Sequence, residues 1–174
     1  MDYHKFIYDS IKNGGVFMSW LEMRRLEFAP LMASRLSGLL DGKSFIMICD
    51  ENRKWYQKYF LQNINSSSDR PFVPIFAIDN FYKIKDDFDI VLINDLLDFS
   101  FPNGFVYFYV GTHTDKMAKL AKSKEDSLLW LFDEQLQNSF FLDSKDTNID
   151  EKLITLYKLF DKSIDAILFS KVEF

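Results

Sequence analysis

Acidic and amide side chains follow three of the strands that the sequence predicts. Asp50–Glu51 comes directly after the first predicted strand, Asn94–Asp95 after the third, and Thr112 shortly after the fourth. Because the carboxyl ends of parallel strands meet at one edge of a sheet, where α/β proteins usually bind ligands, these groups are expected there together. Clustered carboxylates suit a hard divalent cation such as Mg²⁺.

This constellation resembles the phosphoacceptor pocket of two-component receiver domains, in which carboxylates at those strand ends hold a magnesium ion. Two departures count against a working receiver. Receivers begin with the first strand, whereas this chain has two helical regions before it. Their lysine at the end of the fifth strand is missing, because Phe132 is followed by Asp133–Glu134. In the alternative interpretation these acids cap helices and solvate the strand edge.

The loop after the first strand argues against phosphate binding. A phosphate-cradling loop needs glycines so that backbone N–H groups can approach the ligand. Here the loop is Asp50–Arg53, with two carboxylates and no glycine, and no Walker or Gly-x-Gly-x-x-Gly motif occurs. His4 and His113 lack a partner at metal-ligand spacing, and no nucleophile-elbow motif supports a catalytic triad. The sequence therefore predicts no catalytic residue, no metal site and no cofactor.

Short, unbroken apolar runs alternate with helical patterns along the chain. Runs that are apolar on both faces indicate parallel strands covered by helices. Strands are expected at 45–49, 72–78, 90–93, 104–110 and 128–132. The segment 133–146 is compatible with a helical turn, with a short strand around 140–142 or with a loop. Helices are expected at 2–13, at 19–40, after Arg53, at 115–122 and at 149–172. Pro30 is expected to kink or divide the helix at 19–40, and Thr114 is expected to cap the helix at 115–122.

These elements predict a three-layer α/β/α sandwich with a mainly parallel five-stranded sheet, similar to sugar-isomerase (SIS) and flavodoxin folds. A helical N-terminal extension and a long C-terminal helix complete a single domain over residues 1–174. Hydrophobic residues make up 48% and aromatic residues 17% of the chain, and the 19 Phe need burial in a core or in a subunit interface.

The net charge and the cysteine content indicate which partners and which cellular location the protein is expected to have. The net charge is −5 and no dense run of Lys and Arg occurs, which disfavours direct DNA binding. The lone Cys49 fits a reducing cytoplasm, and no segment of signal or transmembrane length is found. A cytoplasmic location without membrane contact is expected.

Short stretches across nearly the whole chain resemble the HobA family of bacterial regulators, and their order and spacing make the match specific. The matching stretches are Trp20–Glu22, Asp50 with Arg53–Trp55, Ser127–Phe132, Tyr157–Phe160 and Lys171–Val172. The resemblance implies a non-enzymatic adaptor related to DiaA and, through it, to the SIS fold. It also implies a homotetramer, a dimer of dimers, whose subunits each bind the N-terminal domain of the replication initiator DnaA. The alternative is a receiver-like or SIS-like sensor of a ligand or metal.

The final helix suggests where the partner binds. Its apolar stripe runs from Ile149 to Ile167, and Phe169 falls on the opposite, polar side. In DiaA a Leu-Phe pair near the C-terminus contributes to DnaA binding, and Leu168–Phe169 aligns with it. Alternatively, Phe169 packs under a loop or in the oligomer interface. Arg53 and Tyr56, on an edge expected to be exposed, are the next candidates.

Overall fold

Five strands form one sheet in which every neighbouring pair is parallel, in the order β2-β1-β3-β4-β5. The computed structural model describes residues 1–83 and 87–174. The strands are β1 (Ser44–Cys49), β2 (Ile75–Ala77), β3 (Phe105–Thr112), β4 (Leu128–Phe132) and β5 (Ser139–Leu142). β1 and β3 lie at the centre and are buried along almost their whole length. The predicted α/β class and the predicted parallel five-stranded sheet are confirmed, although one of its strands is not the one that was expected.

Seven α-helices and several single 3₁₀ turns are found in the described residues. The helices are α1 (Tyr3–Asn13), α2 (Ser19–Glu22), α3 (Arg25–Leu36), α4 (Lys54–Ile64), α5 (Ile90–Ser100), α6 (Lys116–Ala121) and α7 (Ile149–Leu168). α1 begins at Asp2, whose carboxylate accepts a hydrogen bond from the Lys5 backbone N–H. None of the helices in the described part of the chain is long and apolar enough to cross a membrane.

The strands separate two apolar cores, because successive side chains point to opposite faces of the sheet. Phe45, Met47 and Cys49 of β1 face a large core, which α1, α3, α4 and α7 cover. Ile46 and Ile48 face a smaller core, which α5 and α6 cover. Trp130 of β4 is fully buried in the large core.

The predicted strand at 90–93 is wrong, since these residues form the first turn of α5. Asp89 caps this helix, and its carboxylate accepts hydrogen bonds from the backbone N–H groups of Val91 and Leu92. Four apolar residues in a row do not distinguish a buried strand from a helix. Residues 95–100 form the remainder of α5, whose C-cap is Phe101. The fifth strand is instead β5, in the segment that the sequence left open.

Several boundaries also differ from the expectation. β2 is restricted to three residues, because the chain turns into a 3₁₀ turn at Ile78. β3 runs on through Gly111 to Thr112. Asp115, rather than Thr114, caps α6, since its carboxylate accepts the Met117 N–H at 2.7 Å. α7 ends at Leu168 rather than Val172.

Candidate functional site

The Asp50 carboxylate fills the place where an α/β protein of this topology would hold a ligand. β2 and β3 lie on opposite sides of β1, so the crevice at the carboxyl end of β1 and β3 is the topological switch point of the sheet. Asp50 Oδ1 accepts the Arg53 backbone N–H at 3.1 Å, and Asp50 Oδ2 accepts the Thr112 backbone N–H at 2.8 Å. These are the kind of backbone donors that bind a phosphate in other proteins. Here the chain supplies the anion itself.

A buried ion pair fixes this carboxylate. Arg53 Nη1 donates to Asp50 Oδ2 at 2.8 Å, and the guanidinium lies 3.8 Å from the centre of the Phe132 ring. Asp50 is 4% exposed and Arg53 9% exposed. Both carboxylate oxygens are therefore engaged, and the arginine is held between an anion and an aromatic face. This pair orders the loop between β1 and α4.

Gly111 allows β3 to pass close to Asp50. A Cβ atom at this position would lie 2.5 Å from the Tyr109 hydroxyl oxygen and 2.9 Å from the Asp50 Cβ. The Tyr109 hydroxyl in turn donates to the Thr112 carbonyl oxygen at 2.8 Å. The predicted strand at 104–110 ends one residue before Gly111. A glycine between Val110 and Thr112 inside an apolar strand is the signal of close backbone approach that could have revealed this contact.

The expected group of carboxylates at this edge is not formed. Asn94 and Asp95 lie in α5, not at the end of a strand, and the Asn94 side chain is bound to the Tyr107 hydroxyl and to Ser123. Within the described residues, no group of three or more His, Cys, Asp or Glu side chains is placed to hold a metal ion. The receiver-like arrangement inferred from strand ends is therefore wrong.

A cavity of about 480 Å³ opens beyond Asp50, and its walls carry charges of both signs. Glu51, Asp79 and Asp115 contribute carboxylates, whereas Lys54 and Lys116 contribute ammonium groups. Lys54 pairs with Asp79 at 3.2 Å. A phosphate entering this cavity would meet three carboxylates besides that of Asp50, so the cavity is unsuited to a sugar phosphate.

The thiol nearest the cavity is not a nucleophile. Cys49 is the last residue of β1 and is 1% exposed. Burial, followed by the charge of Asp50, raises the pKa of the Cys49 thiol well above its usual range. A thiol kept protonated in this way is not activated as a nucleophile at neutral pH.

Arg53 and Tyr56 do not form an exposed edge, contrary to expectation. Tyr56 is fully buried, and its ring packs edge-on against Trp55 and Phe60. Burial raises the pKa of the Tyr56 hydroxyl well above its usual range. The surface here is instead offered by the half-buried ring of Trp55 and by Glu51. This burial does not favour Arg53 and Tyr56 as anchors, and contact of a partner with them stays a prediction.

Leu168 and Phe169 lie together at the carboxyl end of α7 and face different environments. Leu168 packs partly against the large core, whereas Phe169 caps the helix and is 47% exposed. The Phe169 backbone N–H donates to the Asp165 carbonyl oxygen at 3.1 Å, and Ser170 turns the chain with a φ of 52°. Arg70 Nη1 donates to the Asp165 carboxylate at 2.7 Å. The exposed ring thus projects from a helix end that is fixed on its inner side.

The chain resembles known proteins along its whole length. Residues 1–174 match a family model described as HobA: DNA replication regulator. The DNA replication regulator protein HobA of Helicobacter pylori (strain ATCC 700392 / 26695) is 29% identical over 180 residues, which are 98% of this chain and 98% of that protein.

Two solved structures share the fold. A chain of the HobA–DnaA (domain I-II) complex from Helicobacter pylori matches with a TM-score of 0.79 and 28% identity, over 100% of this chain and 99% of that chain. A crystal structure of HobA from Helicobacter pylori matches with a TM-score of 0.77 and 26% identity at the same coverage. The resemblance that the short sequence stretches indicated is confirmed, and the chain belongs to the HobA family of DNA replication regulators.

Proposed function

We propose that this protein is a non-enzymatic adaptor that binds the N-terminal domain of DnaA in the cytoplasm. The observation that carries the proposal is the whole-chain similarity to a HobA chain whose crystal structure is a complex with DnaA domains I-II. The switch-point crevice supports it, because the Asp50 carboxylate already occupies the backbone donors that a ligand would use. The buried Cys49 thiol agrees with a role other than catalysis.

The proposed mechanism is the gathering of initiators by a homotetramer arranged as a dimer of dimers. Several DnaA molecules held on one particle experience a high effective concentration toward one another, without any new contact between them. Direct contact of the adaptor with DNA is not needed, and the net charge of −5 disfavours it. Assembly of DnaA at the chromosomal origin would follow from this tethering.

We propose Leu168 and Phe169 as part of the surface that contacts DnaA. The half-exposed Phe169 ring stands on a helix end that Arg70 and Asp165 fix, so little conformational entropy would be lost when a partner covers it. Aromatic anchors of this kind are enriched among the residues that dominate binding. Leu168 is partly covered by the core and would contribute its outer edge.

A calorimetric titration tests the adaptor function. Adding the isolated N-terminal domain of DnaA to this protein should give saturable binding with one site per subunit. Absence of binding at concentrations of about 100 μM, where specific complexes of standard interface size are normally saturated, would refute the proposal. The isolated C-terminal domain of DnaA serves as the negative control.

A panel of sugar phosphates tests the competing interpretation as a ligand sensor. We expect no heat of binding at millimolar ligand, because Asp50 occupies the backbone donors and Glu51, Asp79 and Asp115 repel a phosphate. Calorimetry with the same panel on a sugar isomerase of the SIS fold provides the positive control. Micromolar binding of any of these compounds would overturn the adaptor interpretation.

A further inference from the structure

A hollow of about 340 Å³ lies between helix α7 and the 3₁₀ turn that follows α1. Phe17 and Met18 line it from the turn, and Ile154 lines it from α7. Lys158 and Lys162, about one and two turns further along α7, line the same hollow. We call the hollow lined by these five residues the α7 groove. A mainly apolar pocket of this size with a few charged groups has the usual composition of a small-ligand site.

The apolar end of the α7 groove presents an aromatic ring to solvent. Phe17 is 77% exposed, whereas its neighbour Met18 is buried. Gly14 allows the Met18 side chain to pack under the turn, because a Cβ atom at Gly14 would lie 2.4 Å from the Met18 Sδ. The Thr155 hydroxyl, which also lines the groove, donates to the Glu151 carbonyl oxygen at 2.9 Å. This end of the groove therefore suits a hydrocarbon chain, which would cover the exposed ring.

The other end of the α7 groove carries a positive charge that the chain does not neutralise. Lys158 and Lys162 are spaced by four residues, and like charges at this spacing destabilise a helix. Asp161 and Asp165, which lie beside them in sequence, are bound by Arg70, whose side chain is 4% exposed. No carboxylate in the described part of the chain is paired with either lysine. In a protein of net charge −5, this end of the groove is a local site for an anion.

Glu151 gives the α7 groove a direction. It lines the hollow from the first turn of α7, seven residues before Lys158, which is a rise of about 10 Å along the helix. A molecule with an anionic group at each end would be repelled by the Glu151 carboxylate. A molecule with one anionic head and an apolar body can place its head at the lysines and its body at Phe17 and Ile154.

We propose that the α7 groove binds a small amphiphilic carboxylate of the fatty-acid class. Its carboxylate lies between the ammonium groups of Lys158 and Lys162, where two charge-assisted hydrogen bonds can form. Its hydrocarbon chain lies against Phe17 and Ile154 and removes apolar surface from water. The site is distinct from the switch-point crevice at Asp50, and the inference holds whether or not the protein binds DnaA.

A titration with octanoate, followed through the backbone amide signals of the isotope-labelled protein in NMR spectra, tests this assignment. Octanoate should bind saturably with a dissociation constant of about 1 mM or below, and the largest signal changes should fall on Phe17, Ile154 and Lys158. 1-Octanol has the same chain without the charge, and butanoate has the same head with a shorter chain. Each of these two compounds should bind about tenfold more weakly than octanoate, or weaker still.

Two variants separate the lysine pair from the rest of the surface. Lys158→Gln combined with Lys162→Gln should weaken octanoate binding about tenfold and leave the melting temperature unchanged, because both lysines are exposed. Lys119→Gln is the matched control and should bind octanoate like the wild type. Lys119 is an exposed lysine of α6, which covers the other face of the sheet.

Three results would overturn the inference: no octanoate binding by the wild type at about 10 mM, equal binding of 1-octanol, or equal binding by the double lysine variant. The same variant is also titrated with the N-terminal domain of DnaA. If the wild type does not bind octanoate and the double variant loses the DnaA domain, the groove belongs to the DnaA surface, and the proposed function stands without the inference.

Discussion

Replacing Asp50 by alanine is expected to lower the free energy of unfolding by about 3–5 kcal/mol, the usual cost of removing one partner of a buried ion pair. The substitution leaves the Arg53 guanidinium without its anion at a position only 9% exposed. It also leaves the backbone N–H groups of Arg53 and Thr112 without their acceptor. For a chain of this length such a loss corresponds to a fall in melting temperature of roughly 10 °C.

Thermal and urea unfolding measure this effect, and two variants isolate its cause. Asp79→Ala removes another carboxylate from the same edge of the sheet. Because its ion pair with Lys54 is exposed, the substitution should lower the free energy of unfolding by less than about 1 kcal/mol. Arg53→Met leaves Asp50 with both backbone donors and should cost less than Asp50→Ala. If Asp50→Ala were no more harmful than Asp79→Ala, the Asp50 carboxylate would not organise the crevice.

Replacing Phe169 by alanine is expected to weaken binding of the DnaA N-terminal domain about thirtyfold. Truncation of an aromatic anchor typically costs on the order of 2 kcal/mol or more, and 1.4 kcal/mol corresponds to a factor of ten. Folding should barely change, because the ring is half exposed and contributes little to the core. Surface substitutions usually alter stability by less than about 0.5 kcal/mol.

Leu153→Ala is the matched control on the same helix. Leu153 is 1% exposed in the large core, so its truncation should cost about 2–5 kcal/mol of stability and leave the affinity for the DnaA domain unchanged in the folded protein. Affinity, oligomer mass and melting temperature are measured for both variants. A lower melting temperature or a smaller oligomer for Phe169→Ala would make Phe169 a structural residue and place the DnaA surface elsewhere.

The central strands could be predicted because their burial is complete within the chain. β1 and β4 are short apolar runs that end at polar residues, and their predicted bounds differ from the structure by no more than one residue. The acidic side chains Asp150 and Glu151 lie in the first turn of α7, where carboxylates favour the start of a helix. These features depend on residues that are neighbours in sequence.

The structure of the segment at 90–93 could not be predicted, because an apolar run of this length fits a strand and a helix equally well. A run of four apolar residues is typical of burial on both faces and therefore predicts a strand. In the structure the same residues begin α5, and half of them face away from the chain. A short apolar run therefore does not by itself show that a segment is buried on both faces.

The environment of Asp50 could be predicted only in part. The absence of glycine from the loop predicts that the loop is no phosphate cradle, and the panel of sugar phosphates tests this prediction. The contact from Asp50 to Thr112 joins segments about 60 residues apart, and spacing in the sequence does not encode it. Gly111 in an apolar strand signals a close backbone approach but does not identify Asp50 as the neighbour. For the same reason the burial of Arg53 beneath the Phe132 ring was missed.

The mass of the complex with the N-terminal domain of DnaA, from light scattering coupled to gel filtration, tests the central claim most directly. The protein alone should elute as four subunits, and the saturated complex should gain four copies of the domain, since tethering requires several sites in one particle. A monomer that binds one copy, or a tetramer whose mass does not increase when the domain is added, would contradict the proposed role as an adaptor that gathers DnaA.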